Sequence, residues 1–266
     1  MASAAERASR FSPFLNRLSA QHPDIVEAAE HGLDAVAALA DIASDAATAR
    51  RLRIARGRIM LGVALVDLSG IAPFSNVVAA LSDFADWALD RAIESLIGDA
   101  SGFAVIALGK HGSRELNYSS DIDPILIFDP DLLPRRPREE PGEAAVRLAR
   151  RLVELLQTRD GDGFVFRVDL RLRPASEATP LAIPIDAAIA HYESSALAWE
   201  RAAFIRARAA AGDRMLGTRL LDTVKPFVWR RSLDYGAVGE LRALTRSIRA
   251  HHGAVAIGPG YDVKRG

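Results

Sequence analysis

The segment Gly109–Asp123, "GKHGSRELNYSSDID", lies between two short apolar runs, "FAVIAL" (Phe103–Leu108) and "PILIF" (Pro124–Phe128). Short apolar runs that are bounded by glycine and aspartate are typical of buried strands. The intervening segment opens with glycines and closes with two carboxylates, Asp121 and Asp123. A turn needs glycine, but it does not need two like charges one residue apart. The segment therefore predicts a functional loop between two strands of a sheet.

The two carboxylates are the first candidates for chemistry. Side chains two residues apart on a strand point to the same side of the sheet, so Asp121 and Asp123 are expected to converge where the second strand begins. Their repulsion is costly without a cation, and it is expected to raise the pKa of at least one carboxyl. Carboxylate oxygens suit Mg²⁺, which usually binds substrate phosphates as well. The pair therefore predicts a site for Mg²⁺ or Mn²⁺.

A third strand is predicted over "FVFRVDLRLRP" (Phe164–Pro174). Its apolar residues alternate with one carboxylate and three guanidiniums, at Arg167, Asp169, Arg171 and Arg173. If this strand adjoins the second one, Asp169 becomes the third catalytic and metal-binding aspartate. The three arginines would then bind phosphate oxygens. The alternative is a solvated strand on which arginine and aspartate simply pair.

Three small residues follow the first strand, at Gly109, Gly112 and Ser113. Glycines let the backbone approach a ligand closely, and N–H groups in such a turn can cradle a phosphate. The Ser113 hydroxyl can add a hydrogen bond. These three residues are predicted to bind the nucleotide or phosphate.

The rest of the chain predicts an α+β fold that is predominantly helical, in which a small mixed β-sheet core is flanked by N- and C-terminal helical regions. The predicted divisions are a helical region over residues 1–98, a core over 99–180 and a second helical region over 181–266. The clearest helix is expected from Ser75, with Ser75 or Asn76 as its cap, to Ile97. After the core, helices are predicted over Leu197–Ala211 and over Tyr235–His252, with Asp186 and Asp213 as caps of others.

Composition excludes several classes of protein. The 266 residues contain no cysteine, so disulfides and thiolate metal sites are excluded. Lys plus Arg equals Asp plus Glu at 34 each, so no overall field favours nucleic acid or an anionic membrane as a partner. The first residues carry no apolar signal sequence, and no apolar run approaches the ~20 residues of a membrane helix. The expected location is cytoplasmic.

The combined pattern resembles the nucleotidyltransferase superfamily built like DNA polymerase β. That pattern is a strand, Gly-Ser, Asp-x-Asp at the next strand, and a later strand aspartate. The segment "GKHGSRELNYSSDID" further resembles the signature of the bacterial glutamine synthetase adenylyltransferases. Three later segments agree in order: "FRVDLRLRP", "WERAAFIRAR" (Trp199–Arg208) and "HHGAVAIGPGYDVKRG" (His251–Gly266).

The family combines an adenylylating half with an adenylyl-removing half. "ELNYSSDID" and "VDLRLRP" are more similar to the adenylyl-removing half, because the other half reads more like "ELGYGSDLD" and "VDTRLRP". The resemblance implies that phosphate attacks the AMP–tyrosine bond on glutamine synthetase and releases ADP. It also implies that Asp121, Asp123 and Asp169 hold the metals, and that a PII-type nitrogen regulatory protein is a partner.

Some positions depart from the family pattern. Pro124 stands where a hydrogen-bonding apolar residue is usual, so the second strand is expected to begin later or to lie at an edge. Ala202 and Arg206 replace an aromatic residue and a lysine. The chain also stops inside a family motif, which predicts a piece of a longer protein. Two alternatives remain open: ATP-dependent adenylylation of glutamine synthetase, and an inactive fragment that binds a nucleotide or a regulatory protein.

Overall fold

The computed structural model describes residues 3–41 and 47–229, together with the single positions 239, 242, 243 and 246. Among the described residues, six helices precede the sheet: α1 (Ala4–Phe11), α2 (Pro13–Gln21), α3 (Pro23–Glu30), α4 (Leu33–Ala40), α5 (Thr48–Ser69) and α6 (Phe74–Ile97). The sheet region holds β1 (Phe103–Ala107), the short helix α7 (Gly109–Gly112), β2 (Pro124–Phe128), α8 (Pro141–Gln157) and β3 (Ala182–Pro184). The described part ends with α9 (Ile185–Ser194), α10 (Ala198–Phe204), β4 (Arg208–Gly212) and α11 (Arg214–Val228).

The four strands form one mixed sheet in the order β3-β2-β1-β4. β1 pairs antiparallel with both β2 and β4, whereas β2 and β3 run parallel. Pro124 is the first residue of β2 and pairs with Ala107, and β2 lies inside the sheet, so the expectation of a later start or an edge position is wrong. The first residue of a strand is a position that tolerates proline. The predicted class, mostly helical with a small mixed sheet, is confirmed.

The sheet separates two apolar layers. Phe103 and Val105 of β1 pack with the N-terminal helices and α8 in one buried cluster. Ala104 and Ile106 point the other way and pack against α9 and α11 in a second cluster. This alternation follows from the period of two along a strand, and it leaves β1 buried on both sides. Because the first cluster joins the N-terminal helices to the sheet, both share one core. The divisions at residues 98/99 and 180/181 stay predictions.

The helical start of the chain is confirmed for the described residues up to residue 98, but two of the predicted caps are wrong. Helix α6 begins at Phe74 after Pro73, whose extended backbone precedes the first turn without a side-chain cap. Ser75 and Asn76 therefore lie inside that turn. Asp186 likewise lies within the first turn of α9, where its charge suits the helix dipole. Asp213 caps α11 as predicted, accepting a hydrogen bond from the backbone N–H of Leu216.

The predicted third strand is wrong. Within the part of the chain that the structure describes, the only strand-like contact made by Phe164–Pro174 is one parallel bridge, between Val168 and Ile122. The Asp169 carboxylate accepts a hydrogen bond from the backbone N–H of Arg171 at 3.0 Å. A side chain that binds the backbone two residues on makes a turn, and it ends the extended run here.

The predicted extent of the helix over Leu197–Ala211 is also wrong. The observed helix, α10, ends at Phe204, and the chain then enters β4. Alanine favours helix in isolation, but pairing with β1 outweighs this weak preference. Strand β3 was not predicted at all, since its three residues are too short to show a period. The helix predicted over Tyr235–His252 lies outside the described residues, apart from four isolated positions. Among the described helices, none has the length and apolarity needed to cross a bilayer.

Candidate functional site

The site lies where β1 ends and β2 begins. Helix α7 follows β1 directly, and Gly109 opens it with a φ of +55°. A Cβ atom at Gly109 would lie 3.1 Å from a carboxylate oxygen of Asp123. Glycine thus provides both the left-handed backbone and the space for this carboxylate. The predicted neighbours, the glycine turn and the second aspartate, lie side by side.

A short backbone ladder brings the third aspartate alongside the first two. The N–H of Ile122 donates to the carbonyl of Arg167 at 3.0 Å, and the N–H of Asp169 donates to the carbonyl of Ile122 at 2.9 Å. Ile122 itself is fully buried. Because Asp121 and Asp123 flank Ile122, Asp169 joins their side of the chain. A single bridge therefore places Asp169 beside Asp121 and Asp123, which was expected to require a full strand.

Two arginines engage these carboxylates. Arg171 makes a bidentate contact with Asp169, with its Nε 2.9 Å from Oδ1 and 2.8 Å from Oδ2. Arg167 pairs with Asp121 and also donates to the carbonyl of Ser119 at 2.6 Å. The Asp–Arg pairing considered from the sequence is therefore present. Within the described part of the chain, no three histidine, aspartate or glutamate side chains are grouped closely enough to hold a metal ion as they stand.

The charge balance at the site differs from the prediction that repulsion raises a carboxyl pKa. Hydrogen bonds from Arg171 lower the pKa of Asp169, so the prediction is wrong for this residue. The same contact raises the pKa of Arg171, and the charges of Asp123 and Asp121 add to that effect. The charges of all three carboxylates therefore act on the Arg171 guanidinium, which is consistent with their convergence.

Three other predicted site residues make contacts within the fold. The Ser113 hydroxyl donates to the carbonyl of Gly109 at 3.2 Å and to Glu115 at 3.0 Å. Gly112 lies so close to the turn before β4 that a Cβ there would be 1.9 Å from the carbonyl oxygen of Arg206. Arg173 donates to backbone carbonyls on both sides of it in sequence, that of Leu170 at 2.8 Å and that of Ser176. Their binding roles stay predictions.

Sequence reasoning missed a charged network behind α7. His111 is buried, and its Nε2 lies 2.7 Å from Asp86 on α6. Arg208 of β4 makes two contacts with the same carboxylate, at 2.5 and 3.0 Å, and donates to the His111 carbonyl at 3.2 Å. The available signal was Asp83, Asp86 and Asp90, which recur at helical spacing and indicate one charged side of α6. The network fixes the glycine turn between α6 and β4.

Asp86→Asn is expected to make unfolding less dependent on pH. Burial alone would raise the pKa of Asp86, but hydrogen bonds from His111 and Arg208 outweigh it and hold the pKa below 3.8. A lowered pKa stabilises the fold above pH 3.8, and this contribution is lost as the pH falls through the lowered value. We expect the variant to lose about 2 kcal/mol at pH 7 and the difference to shrink toward pH 3.

Urea unfolding at pH 7 and at pH 3 measures this effect. Asp222→Asn, on the exposed side of α11, is the matched control and should track the wild type at both values. A stability difference between wild type and Asp86→Asn that stays constant across this range would contradict the prediction.

The sequence was compared with families and with curated proteins. Residues 2–223 match the family described as glutamate-ammonia ligase adenylyltransferase. Similar curated proteins are named bifunctional glutamine synthetase adenylyltransferase/adenylyl-removing enzyme. The one from Rhizobium meliloti is 41% identical over 96% of this chain, and the one from Xanthobacter autotrophicus is 43% identical over 86%.

The alignments cover only part of each relative. The chain spans 29% of the Rhizobium meliloti protein and 25% of the Xanthobacter autotrophicus protein. The family match nevertheless covers most of this chain, including the glycine turn, all three aspartates and the contacts of β4. The chain belongs to the glutamate-ammonia ligase adenylyltransferase family.

Proposed function

We propose that this chain removes AMP from an adenylylated tyrosine of glutamine synthetase by phosphorolysis, giving ADP and the unmodified enzyme. The reaction would regulate nitrogen assimilation. The relatives' names support nucleotidyl transfer on glutamine synthetase, and the forms "ELNYSSDID" and "VDLRLRP" favour the removing direction. The observation that carries the proposal is the Ile122–Val168 bridge, which aligns Asp169 with Asp121 and Asp123.

Three carboxylates on adjoining backbone segments are the donor set that a hard divalent cation prefers. We therefore propose that Asp121, Asp123 and Asp169 would hold Mg²⁺ or Mn²⁺. Their side chains must first exchange their contacts with Arg167 and Arg171. A bound cation would supply positive charge for the phosphate oxygens and for the leaving tyrosine oxygen. The released guanidiniums remain near enough to bind and orient phosphate.

The proposed step forms a bond between an oxygen of inorganic phosphate and the phosphorus of AMP. The bond from that phosphorus to the tyrosine oxygen breaks, and the proton of the attacking hydrogen phosphate passes to the tyrosine. Transfer of this kind depends on in-line positioning and charge neutralisation rather than on a strong base. The products are ADP and a neutral tyrosine side chain, so atoms and charge balance.

The described site residues offer no suitable general base for a tyrosine hydroxyl, and this favours removal of AMP over its addition. Phosphate is nucleophilic at neutral pH, whereas a tyrosine hydroxyl with a pKa near 10 benefits from a base. His111, the histidine of the motif, is 1% exposed and already bound to Asp86. Among the described residues that form the site, the remaining candidate bases are the aspartates themselves and Glu115, which already contacts Ser113 and Arg206. Attack by the tyrosine of glutamine synthetase on ATP is therefore the second candidate.

The direct test incubates the purified chain with adenylylated glutamine synthetase and phosphate, and separately with unmodified glutamine synthetase and ATP. Phosphate-dependent ADP release is the expected result. AMP transfer from ATP without ADP release from the first mixture would replace the proposal with the adenylylating reaction. Metal binding without turnover in either mixture would favour an inactive fragment. A PII-type partner and nucleotide binding stay predictions from the resemblance, and a cytoplasmic location stays a prediction from composition.

Divalent metal is expected to stabilise the fold through these aspartates. A ligand that binds only the native state adds about 2.7 kcal/mol at 100 times its Kd. We expect Mg²⁺ or Mn²⁺ to raise the Tm of the wild type by several degrees and to leave Asp121→Asn/Asp123→Asn unchanged. Asp131→Asn/Asp222→Asn, with two exposed carboxylates removed, should gain as much as the wild type. Equal gains in all three proteins would rule out the site.

A further inference from the structure

Three guanidiniums surround the ring of Phe164. The guanidinium carbon of Arg56 lies 4.5 Å from the ring centroid, that of Arg159 at 5.8 Å and that of Arg167 at 5.9 Å. The three arginines come from α5, from the turn after α8 and from the segment that leads to Asp169. Phe164 thus gathers positive charge from separate parts of the chain beside the candidate site.

Arg56 differs from its neighbours on α5. The other four arginines of α5 each form an ion pair with a carboxylate: Arg50 with Asp162, Arg51 with Asp41, Arg53 with Asp160 and Arg58 with Asp24. Within residues 3–41 and 47–229, no carboxylate forms an ion pair with Arg56. Its Nε is buried and has no hydrogen-bond partner there. Arg56 is therefore the member of this row whose charge the described protein leaves unpaired.

The unpaired charge persists at neutral pH. Burial, with added repulsion from Arg167 and Arg159, lowers the pKa of Arg56 to about 10. Stacking on an aromatic ring offsets only part of the cost of such a charge. A buried charge without a partner is unfavourable, so an anion at this point would be stabilised.

A path to Arg56 exists from the surface. Arg56 lines a cavity of about 370 Å³ between α2 and α5, together with Tyr118 of the loop that leads to Asp121. Asp67 also faces this cavity, where it accepts a hydrogen bond from the Tyr118 hydroxyl at 2.9 Å. The volume is large enough for a phosphate group with a bound substituent.

We propose that Arg56, Arg159 and Arg167 form a binding site for a phosphate group beside the candidate aspartates. Guanidiniums bind phosphate through charge-assisted hydrogen bonds, and Arg167 connects the cluster to Asp121. The inference rests on the proposed function only for the source of the phosphate, which is either inorganic phosphate or the nucleotide. Arg56 and Arg159 are residues that the sequence patterns did not single out.

Calorimetric titration of the chain with inorganic phosphate, and separately with ADP, tests this site. Arg56→Met keeps a long apolar stem against Phe164, and Arg159→Met removes an exposed charge. We expect each variant to bind at least about tenfold more weakly, whereas Arg10→Met stays within about twofold. Arg10 is a matched control, because its guanidinium carbon lies 5.3 Å from the ring centroid of Phe11, an exposed side chain that does not line the cavity.

The two ligands separate the sources. A loss for phosphate alone assigns inorganic phosphate, and a loss for ADP assigns the nucleotide. No binding by the wild type, or unchanged Kd values for both ligands in both variants, overturns the site. Weaker binding in the variants of a chain that shows no turnover would sustain this site and refute the proposed function. Normal phosphate-dependent turnover with unchanged binding in the variants would support the proposed function and refute this site.

Discussion

Replacing Asp123 with asparagine is expected to lower phosphate-dependent ADP release from adenylylated glutamine synthetase on the order of 1000-fold. The Asp123 carboxylate lies against the backbone of Gly109 and shares one side of the chain with Asp121 and Asp169. Asparagine keeps the shape and removes the negative charge that a divalent cation requires. The measurement is ADP formation under saturating phosphate and metal.

Two controls make the result specific. Asp222→Asn removes an exposed carboxylate far along the chain and should retain wild-type activity. The Tm of Asp123→Asn without metal should stay close to that of the wild type, which excludes unfolding as the cause. Activity of Asp123→Asn within about tenfold of the wild type would contradict its proposed role.

Gly112→Ala is expected to destabilise the fold by about 3 kcal/mol or more. A Cβ there would lie 1.9 Å from the carbonyl oxygen of Arg206 and 2.7 Å from that of Ala107. Ala107 is the last residue of β1, and Arg206 lies in the turn two residues before β4, so neither backbone oxygen can move without disturbing the start of the β1–β4 ladder. Urea unfolding measures the loss.

Gly142→Ala is the matched control for this prediction. Gly142 lies in α8, and a Cβ there meets nothing within 4 Å. Alanine in a helix should stabilise this position by about 0.5–1 kcal/mol. If Gly112→Ala unfolds at the same urea concentration as the wild type, the close approach of α7 to the backbone of Arg206 is wrong.

The strands around the glycine turn were predictable because their apolar runs are continuous and end at glycine and aspartate. The same pattern placed Asp121 and Asp123 at the mouth of β2. Strand β4 was not predictable from local sequence, since "RAAAG" carries no strand preference and depends on pairing with β1. Tertiary contact decided that element.

The prediction of a third strand was wrong for a local reason that the alternation of apolar and charged residues does not show. Period-two spacing describes Phe164–Pro174 well, but the Asp169 side chain binds the N–H of Arg171 and turns the chain. The roles of Arg56 and Asp86 could not be predicted, because their partners lie far away in sequence. Long-range pairing of charged groups leaves only a weak periodic signal in one sequence.

The most direct test of the central claim is a crystal structure of the chain with Mn²⁺ and ADP, using the anomalous signal of manganese. We predict a manganese peak bound by Asp121, Asp123 and Asp169, with the nucleotide phosphates on the same ion. Arg171 should then have left Asp169. Clear density for ADP with no manganese at these aspartates, and with Arg167 and Arg171 still paired to them, would contradict the account.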